Sequence, residues 1–532
     1  MSRVTLLAVN SKYVHSSLAV WVLAGGVSAY SRLPHDVNVV EATIHQANND
    51  IAGQVAAFSP DVVGISAYIW NAVMLTDLLR LLRDKLPKAV IVLGGPEASH
   101  NAEYWLARGA DHVLRGEGEH SFPALLDTLA SGVPSAPLEP MRSGEPVDPY
   151  SKTYFETLGG RIAYLETSRG CPFKCAFCLS AGESVRFFPL NIVKEQIIKL
   201  SQSGTQTIKL ADRTFNCSAD RAYELFEYII GMNTDCRFHF EVAADLFDER
   251  SLSLLSQAPP SRIQFEAGLQ SYFAPALNAA SRQTDLEKAE KNIRRLLSSR
   301  NIHIHLDLIA GLPYETLSDF QRGFDRAFSL GAHTLQLGFL KLLHGSALRA
   351  QAEAYGIQYD AEPPYEITGS PWLSSEDIRV LKLAENALQH TYNKSRFLSA
   401  LEYVMSVPGI APFSLFRTLG ESVPNHGMQL NDYAERIYNR LIKLPNVNGD
   451  KLRDCLVCDW LGMVAGKNMP LVLKRPDRRH KQVMKIAEKQ LGRRIARNHA
   501  SILLSGASVF VDDRNRDPVS GLFKLFFDGL II

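Results

Sequence analysis

The 532-residue chain predicts an α/β protein in three parts: a Rossmann- or flavodoxin-like layer sandwich over 1–132, a partial (β/α)6 barrel over 156–363, and a mainly helical part over 364–532. Three observations carry this. Short β-branched runs alternate twice with amphipathic stretches, the pattern of parallel sheets covered by helices. Between the two runs, residues 133–155 show neither period and hold Pro134, Pro137, Pro140, Pro146 and Pro149, which predicts a linker. Beyond Pro364, helical periodicity takes over.

In the first run, strands are expected at Val4–Val9, Val37–Glu41, Asp61–Ala67, Ala89–Gly94 and Asp111–Arg115. Ligands of such folds lie outside the carboxyl ends of the strands, at the topological switch point. The loops there hold Ser66, Gly94, Gly95, Gly116, Glu117 and Gly118. Glycines at strand ends let a backbone approach a large ligand closely and tolerate positive φ.

The second run predicts strands at Ile162–Thr167, Thr207–Ala211, Phe238–Ala243, Arg262–Ala267, His303–Ile309 and Thr334–Phe339. Each of the first five precedes a helical stretch; Asp285–Ser298 carries Leu286, Ala289, Ile293, Leu296 and Leu297 on one face. Chemistry in such barrels sits at the carboxyl ends of the strands. In the last part, helices are expected at Glu376–His390, Phe397–Met405, Asp432–Leu441 and Gln482–Ile495. A closing strand group is expected at Ser501–Leu504, Ser508–Val511 and Leu522–Phe527.

Composition bounds the function. Hydrophobic residues make up 46% and charged residues 21%, as in ordinary globular proteins, and a net charge of +1 argues against a nucleic-acid coat. The N-terminus lacks the parts of a signal peptide, and no apolar run reaches about 18 residues, so a cytoplasmic protein without a membrane span is expected. Seven cysteines, an odd number, point to metal chemistry in a reducing compartment rather than to disulfides.

Three of those cysteines, Cys171, Cys175 and Cys178, lie within Ser168–Cys178, expected at a turn between the first barrel strand and a helix. Thiolates are the usual ligands of iron–sulfur clusters, and three ligands leave one iron of a four-iron cluster open. A zinc site with a distant fourth ligand, or three buried thiols, is the alternative, but zinc sites usually pair Cys-x2-Cys units.

The spacing Cys-x3-Cys-x2-Cys, with Phe177 before the last cysteine, resembles the signature of the radical S-adenosylmethionine (SAM) superfamily. The resemblance implies a [4Fe-4S] cluster on Cys171, Cys175 and Cys178 whose open iron chelates SAM and releases a 5′-deoxyadenosyl radical. It also implies Phe177 near the adenine, Asp212 at the methionine amine, Glu241 at the ribose and the Ile309-Ala310-Gly311 backbone along the adenine. Gln270 and Arg282 are candidates for the methionine carboxylate or the substrate. With the glycine loops ahead of it, the chain resembles cobalamin-dependent radical SAM enzymes with a helical C-terminal extension. Cobalamin contacts are then implied at Ser66, Gly94, Gly95, Gly116, Glu117 and Gly118. The Asp-x-His-x-x-Gly spacing that supplies a histidine to cobalt is missing, since Tyr13 and Leu18 stand where Asp and Gly should be. His15 is accordingly expected to be hydrogen-bonded within the protein.

The resemblance implies methyl transfer to an unactivated centre using the radical and methylcobalamin, with an electron donor such as flavodoxin or ferredoxin and a small-molecule or peptide substrate. A non-methylating rearrangement, cyclisation or oxidation is the alternative enzyme. A zinc-stabilised RNA-binding protein is the alternative from another class, built on the ten Lys or Arg of 474–497, which face only Asp477 and Glu488. Without interleaved aromatics, that stretch is expected to be a solvated helix face. Cys455 and Cys458 are expected to be buried structural thiols on one helix face.

Overall fold

The structure, a computed structural model, describes residues 2–132, 146–422, 428–527 and 530–531. Five parallel strands, β1 Ser2–Asn10, β2 His35–Thr43, β3 Val62–Ser66, β4 Val90–Gly94 and β5 His112–Val113, form a sheet in the order β2-β1-β3-β4-β5. This is the flavodoxin-like order, and its switch point lies between β1 and β3. Residues 4–10 and all of β3 are buried, as continuous apolar strands covered on both faces must be. Helices Leu18–Tyr30 and Gly118–Ser131 pack together at Gly26, where a Cβ would come within 2.4 Å of the Glu119 carbonyl.

The expected linker 133–155 falls partly outside the described residues, which resume at 146. Its end is a helix, Lys152–Leu158, not irregular chain. Ser151 caps it, Gly159 ends it in the left-handed region, and Tyr154 is buried edge-on against Trp21, so local capping and one aromatic anchor outweigh the nearby prolines.

The barrel opens with β6 Ala163–Leu165. A two-stranded antiparallel hairpin follows, β7 Ser168–Cys171 with β8 Glu183–Phe187. Then come β9 Thr207–Leu210, β10 Arg237–Val242, β11 Ile263–Gln270, β12 His303–Ala310 and β13 Thr334–Phe339. Strands β6 and β9–β13 form one parallel sheet in the order β13-β12-β11-β10-β9-β6. Strict alternation sorts its two faces. Phe238, Phe240, Phe265, Ile304 and Leu306 are buried toward the helices, while Lys209, His239, Glu241, Glu266, His305 and Asp307 occupy the opposite register. Phe226, Phe240 and Phe265 meet with ring centroids 5.3–5.9 Å apart, and each fully buried ring contributes about 1.5–3 kcal/mol.

The third part holds the expected helices as Ser375–His390, Leu398–Met405, Leu430–Leu441 and His480–Leu491. It also holds Pro412–Gly420, for which no helix was expected, and Gly449–Met463, the helix that carries Cys455 and Cys458. Strands Ala500–Ile502, Ser508–Arg516, Phe523–Phe527 and Leu530–Ile531 close it as an antiparallel sheet. Among the described residues, no helix is long and apolar enough to cross a membrane. Burial pushes the Cys455 thiol up to about 11 and the Cys458 thiol up to about 12, so both remain protonated. In the basic stretch, Arg493 pairs with Asp512 and Asp513 and Arg479 with Asp477.

The first two parts are joined through Glu41. Its carboxylate accepts from Asn10, the Ser17 backbone, Trp21 and both terminal nitrogens of Arg161, at 2.9–3.2 Å, with the Glu41 and Arg161 side chains 7% and 8% exposed. Removing one partner of a buried pair leaves an uncompensated charge and costs about 3–5 kcal/mol. Glu41→Ala and Arg161→Ala should each lower the urea midpoint of this unit, and the double variant should lose less than the sum of the two. Strict additivity in that cycle would contradict the coupling.

Candidate functional site

The three-cysteine stretch is not a plain strand-to-helix turn. Cys171 ends β7, Cys175 and Cys178 lie in the connection to β8, and the hairpin closes the loop before helix Leu190–Ser201 begins. The loop is pinned on three sides: Gly182 N–H donates to the Phe173 carbonyl, Ala176 N–H to the Ala280 carbonyl, and Leu348 N–H to the Ala176 carbonyl. Cys171 and Cys175 are buried and Cys178 is half-buried. Thr214 Oγ1 lies 3.6 Å from the Cys171 sulfur, and Arg282 Nη1 lies 3.5 Å from the Cys175 sulfur. Burial raises the Cys178 thiol, and the Cys175 and Cys171 sulfurs add to the effect. A multiply charged metal centre would remove that penalty, so the donor set fits a cluster.

Asp212 is 1% exposed, and its carboxylate is committed to the Thr167 backbone and to the hydroxyls of Thr167 and Ser168. Its place is therefore behind the hairpin, holding the start of β7, and not at an open position where an amine could reach it. Arg282 likewise faces Cys175 and the Gly268 carbonyl, 2.8 Å away. Gly311, at φ +97°, packs on Ile367, where a Cβ would stand 2.9 Å from a methyl group.

Phe177, Gln270 and Ile309 do come together. With Glu266, Asp307, Gln336 and residues of the third part they line a cavity of about 630 Å³. Gln270 ends β11 at a bulge, with its backbone in the left-handed region at φ +67°, and its side-chain Oε1 is buried without a hydrogen-bond partner. Strain and an orphaned acceptor at one residue are what a ligand-holding position shows before its ligand is in place. The neighbouring turn is braced by Ser271, which donates to Glu315; burial pushes the Glu315 carboxyl up to about 8.

Inside the barrel, Lys209 lies 3.2 Å from Glu266 and 3.5 Å from Glu241, and His239 Nε2 lies 2.9 Å from Glu266. Burial drives the Glu266 carboxyl up, but His239 and Lys209 outweigh it and hold Glu266 down to about 2. Burial raises Glu241, against the pull of Lys209. His305 lies 3.0 Å from Asp307. This network was legible only in part: Glu241, Glu266 and Asp307 stand out near strand ends, whereas Lys209 and the histidines emerge only once the register shows which residues share a face.

At the switch point of the first sheet, Tyr13, Val14, Trp70 and Val73 are exposed at 74%, 46%, 45% and 60%, and Trp70 stacks on Tyr68 at 4.2 Å. Ser66 is buried at the end of β3, its carbonyl accepting from Asn71. Beside it, a Cβ on Gly94 would meet only the Leu114 carbonyl, 3.8 Å away, so space is open there. An apolar rim beside an open backbone cradle fits a large planar cofactor. The other glycines serve the protein itself. A Cβ on Gly95 would lie 2.7 Å from the Ala67 carbonyl, and one on Gly118 would lie 2.7 Å from Leu23. Gly116, at φ +73°, turns the chain ahead of Glu117. His15 does not face this cradle. Its Nδ1 lies 2.7 Å from the Tyr164 hydroxyl, and the flanking Val14 and Ser16 bond to Ile162 at the edge of β6.

Glu117 ties the two sites together: its carboxylate lies 3.0 Å from Arg169 and 2.5 Å from Arg186, on β7 and β8 of the cysteine hairpin. Arg169 also binds Glu119, and Glu166 at 2.8 Å. Burial alone would lower the Arg169 guanidinium, but Glu166, Glu119 and Glu117 raise it above its ordinary value.

The B12 binding domain model matches residues 4–126, the Radical SAM superfamily model matches 165–327, and a model described as a protein of unknown function matches 353–500. The chain thus carries a B12-binding domain, a radical SAM domain and a further C-terminal domain, in that order. Those two domains imply cobalamin, a [4Fe-4S] cluster and SAM. Its relatives include 2-(S-pantetheinyl)-carbapenam-3-carboxylate methyltransferase of Streptantibioticus cattleyicolor, 25% identical over 329 residues, which are 52% of this chain and 46% of that protein. Cytidylyl-2-hydroxyethylphosphonate methyltransferase of Streptomyces wedmorensis is 25% identical over 68% of this chain and 79% of its own length. The chain spans about half the length of the first relatives it matches. The structure of the cobalamin-dependent SAM radical enzyme OxsB, with aqua-cobalamin and SAM bound, shares the fold with a TM-score of 0.60 and 15% identity, over 86% of this chain and 78% of that one.

Because Gly94 opens onto space and Gly95 onto backbone, the two should respond differently. Gly94→Val should keep the fold and weaken hydroxocobalamin retention at least about tenfold, a difference of about 1.4 kcal/mol. Gly95→Ala should instead destabilise the domain by about 1–3 kcal/mol. Wild-type cobalamin affinity in folded Gly94→Val would show that the cradle lies elsewhere.

Proposed function

We propose that this chain is a cobalamin-dependent radical SAM methyltransferase acting on an unactivated carbon or phosphorus centre. The observation that carries the reading is the three-thiol hairpin clamped by Arg169 and Arg186 to the loop that follows β5 of the B12-binding domain. The methyltransferase names of two relatives support it. When bound, the cluster supplies the electron that cleaves SAM and cobalamin carries the methyl group; an electron donor such as flavodoxin or ferredoxin replenishes the electrons.

The protein's own residues have four tasks in this reading. Cys171, Cys175 and Cys178 hold the cluster, with the Arg282 guanidinium 3.5 Å from the Cys175 sulfur. Gln270, Phe177 and Ile309 hold SAM in the shared cavity, with the Gln270 acceptor finding its missing donor there. Tyr13, Trp70 and the Gly94 backbone would seat cobalamin, while His15 is engaged with Tyr164. Glu117, Glu119, Arg169 and Arg186 keep the two domains together beside these sites.

Anaerobically purified protein supplied with SAM, hydroxocobalamin, reductant and substrate should form S-adenosylhomocysteine and 5′-deoxyadenosine in equal amounts, since each turnover consumes one SAM in each role. The triple Cys171, Cys175, Cys178→Ala variant should lose its iron and all 5′-deoxyadenosine, whereas Cys455→Ala with Cys458→Ala should lose neither. 5′-Deoxyadenosine without S-adenosylhomocysteine would replace methyl transfer by a rearrangement, cyclisation or oxidation. Full iron in the triple variant would remove the cluster assignment.

A further inference from the structure

The cavity that holds Phe177, Gln270 and Ile309 has a second wall. Lys341 follows β13, Glu366 lies across a β-bridge from it, and Lys382 and Glu385 project from helix Ser375–His390 of the C-terminal domain. That helix is fixed firmly. A capping box between Ser374 and Asp377 starts it, and Ile378, Leu381 and Ala384 bury its inner face beside β13. A wall on a rigid helix is a wall that can select.

The charges on this wall are not all matched. Lys382 Nζ lies 2.9 Å from Glu366, so those two answer one another. Glu385, one turn further along the helix, forms no ion pair among the described residues, and neither does Lys341. Elsewhere in the cavity, Glu266 is satisfied by Lys209 and His239, and Asp307 faces His305. One carboxylate and one ammonium are therefore left to face a half-enclosed space, where an unanswered charge costs more than in water. Burial, with Glu366 adding to it, raises the Glu385 carboxyl, and Lys382 acts against the rise. A cavity of about 630 Å³ is of the size that takes small molecules.

We propose that the C-terminal domain, together with Lys341 of the barrel, forms the substrate-selecting wall of this enzyme, and that the substrate is a small zwitterion whose amine pairs with Glu385 and whose anionic group pairs with Lys341. This inference rests on the methyl-transfer reading. It assigns a role to residues 353–500, and it makes Glu385 and Lys341 specificity-determining rather than cofactor-holding.

The test uses the full chain, anaerobically reconstituted with iron, sulfide and hydroxocobalamin, together with reductant and SAM carrying a CD3 methyl group. A small-molecule extract of the source cell, split at pH 2 on a cation exchanger into amine-bearing and amine-free fractions, serves as the probe. CD3-labelled product should arise from the amine-bearing fraction. Glu385→Gln and Lys341→Met should each lower its yield at limiting extract at least tenfold, and raising the extract concentration should restore the yield, with Glu385→Asp intermediate. Equilibrium dialysis should give SAM affinities within twofold of wild type for all three variants. Labelled product from the amine-free fraction alone, or variants that match wild type, would overturn the wall assignment and leave methyl transfer standing. SAM affinity that falls in step with yield would reassign the two charges to SAM and overturn the inference. No CD3 transfer to any fraction would overturn the methyl-transfer reading, and this inference with it.

Discussion

Arg169 is the constraint on which the arrangement depends. It sits two residues before Cys171 and is gripped by Glu166 of its own domain and by Glu117 and Glu119 of the B12-binding domain. A half-buried guanidinium facing three carboxylates is stable only in one mutual placement of the elements that carry them, because moving any of them leaves a desolvated charge unanswered. Arg186 repeats the contact from the other strand of the hairpin. A short path of ion pairs thus links the three-cysteine hairpin to the chain that follows β5, and the spacing of the two domains there is set by side chains rather than by a flexible connection.

Two further latches work in the same direction. Glu41 gathers donors from the first domain and Arg161 from the barrel. Tyr365, at the start of the C-terminal part, donates to Glu97, which is 3% exposed and follows the glycine loop after β4. All three parts of the chain therefore meet around the strand ends where the chemistry is placed. The hydrophobic cores supply most of the stability, and the buried ion pairs supply register; a core alone would permit many relative orientations of these parts.

Much of this was legible in the sequence, and for physical reasons. The eleven parallel strands of the two main sheets were found because each is a β-branched or aromatic run with the burial that a covered sheet imposes, as in β3 and β11. The three cysteines were found because metal-ligand spacing is local. The hairpin of β7 and β8 was not found, because Glu183–Phe187 is largely exposed and carries no apolar alternation to signal a strand. Asp212 and Gly311 stand at the expected strand ends and Arg282 follows the short helix Ala274–Ala279, but all three face protein groups, since direction depends on partners that lie far away in sequence. Arg169, Lys341 and Glu385 could not be singled out in advance: a lone charge becomes informative only when the charges around it are known.

The claim that two cofactor sites are held face to face by the Arg169 and Arg186 ion cluster can be tested directly by electron paramagnetic resonance on protein carrying both cob(II)alamin and the reduced cluster. The account predicts a magnetic interaction between the two centres in the wild type that weakens and broadens in distribution when Arg169 and Arg186 are both replaced by Met, with iron and cobalt content unchanged. Two non-interacting spectra in the wild type, or an interaction indifferent to the double replacement, would contradict it.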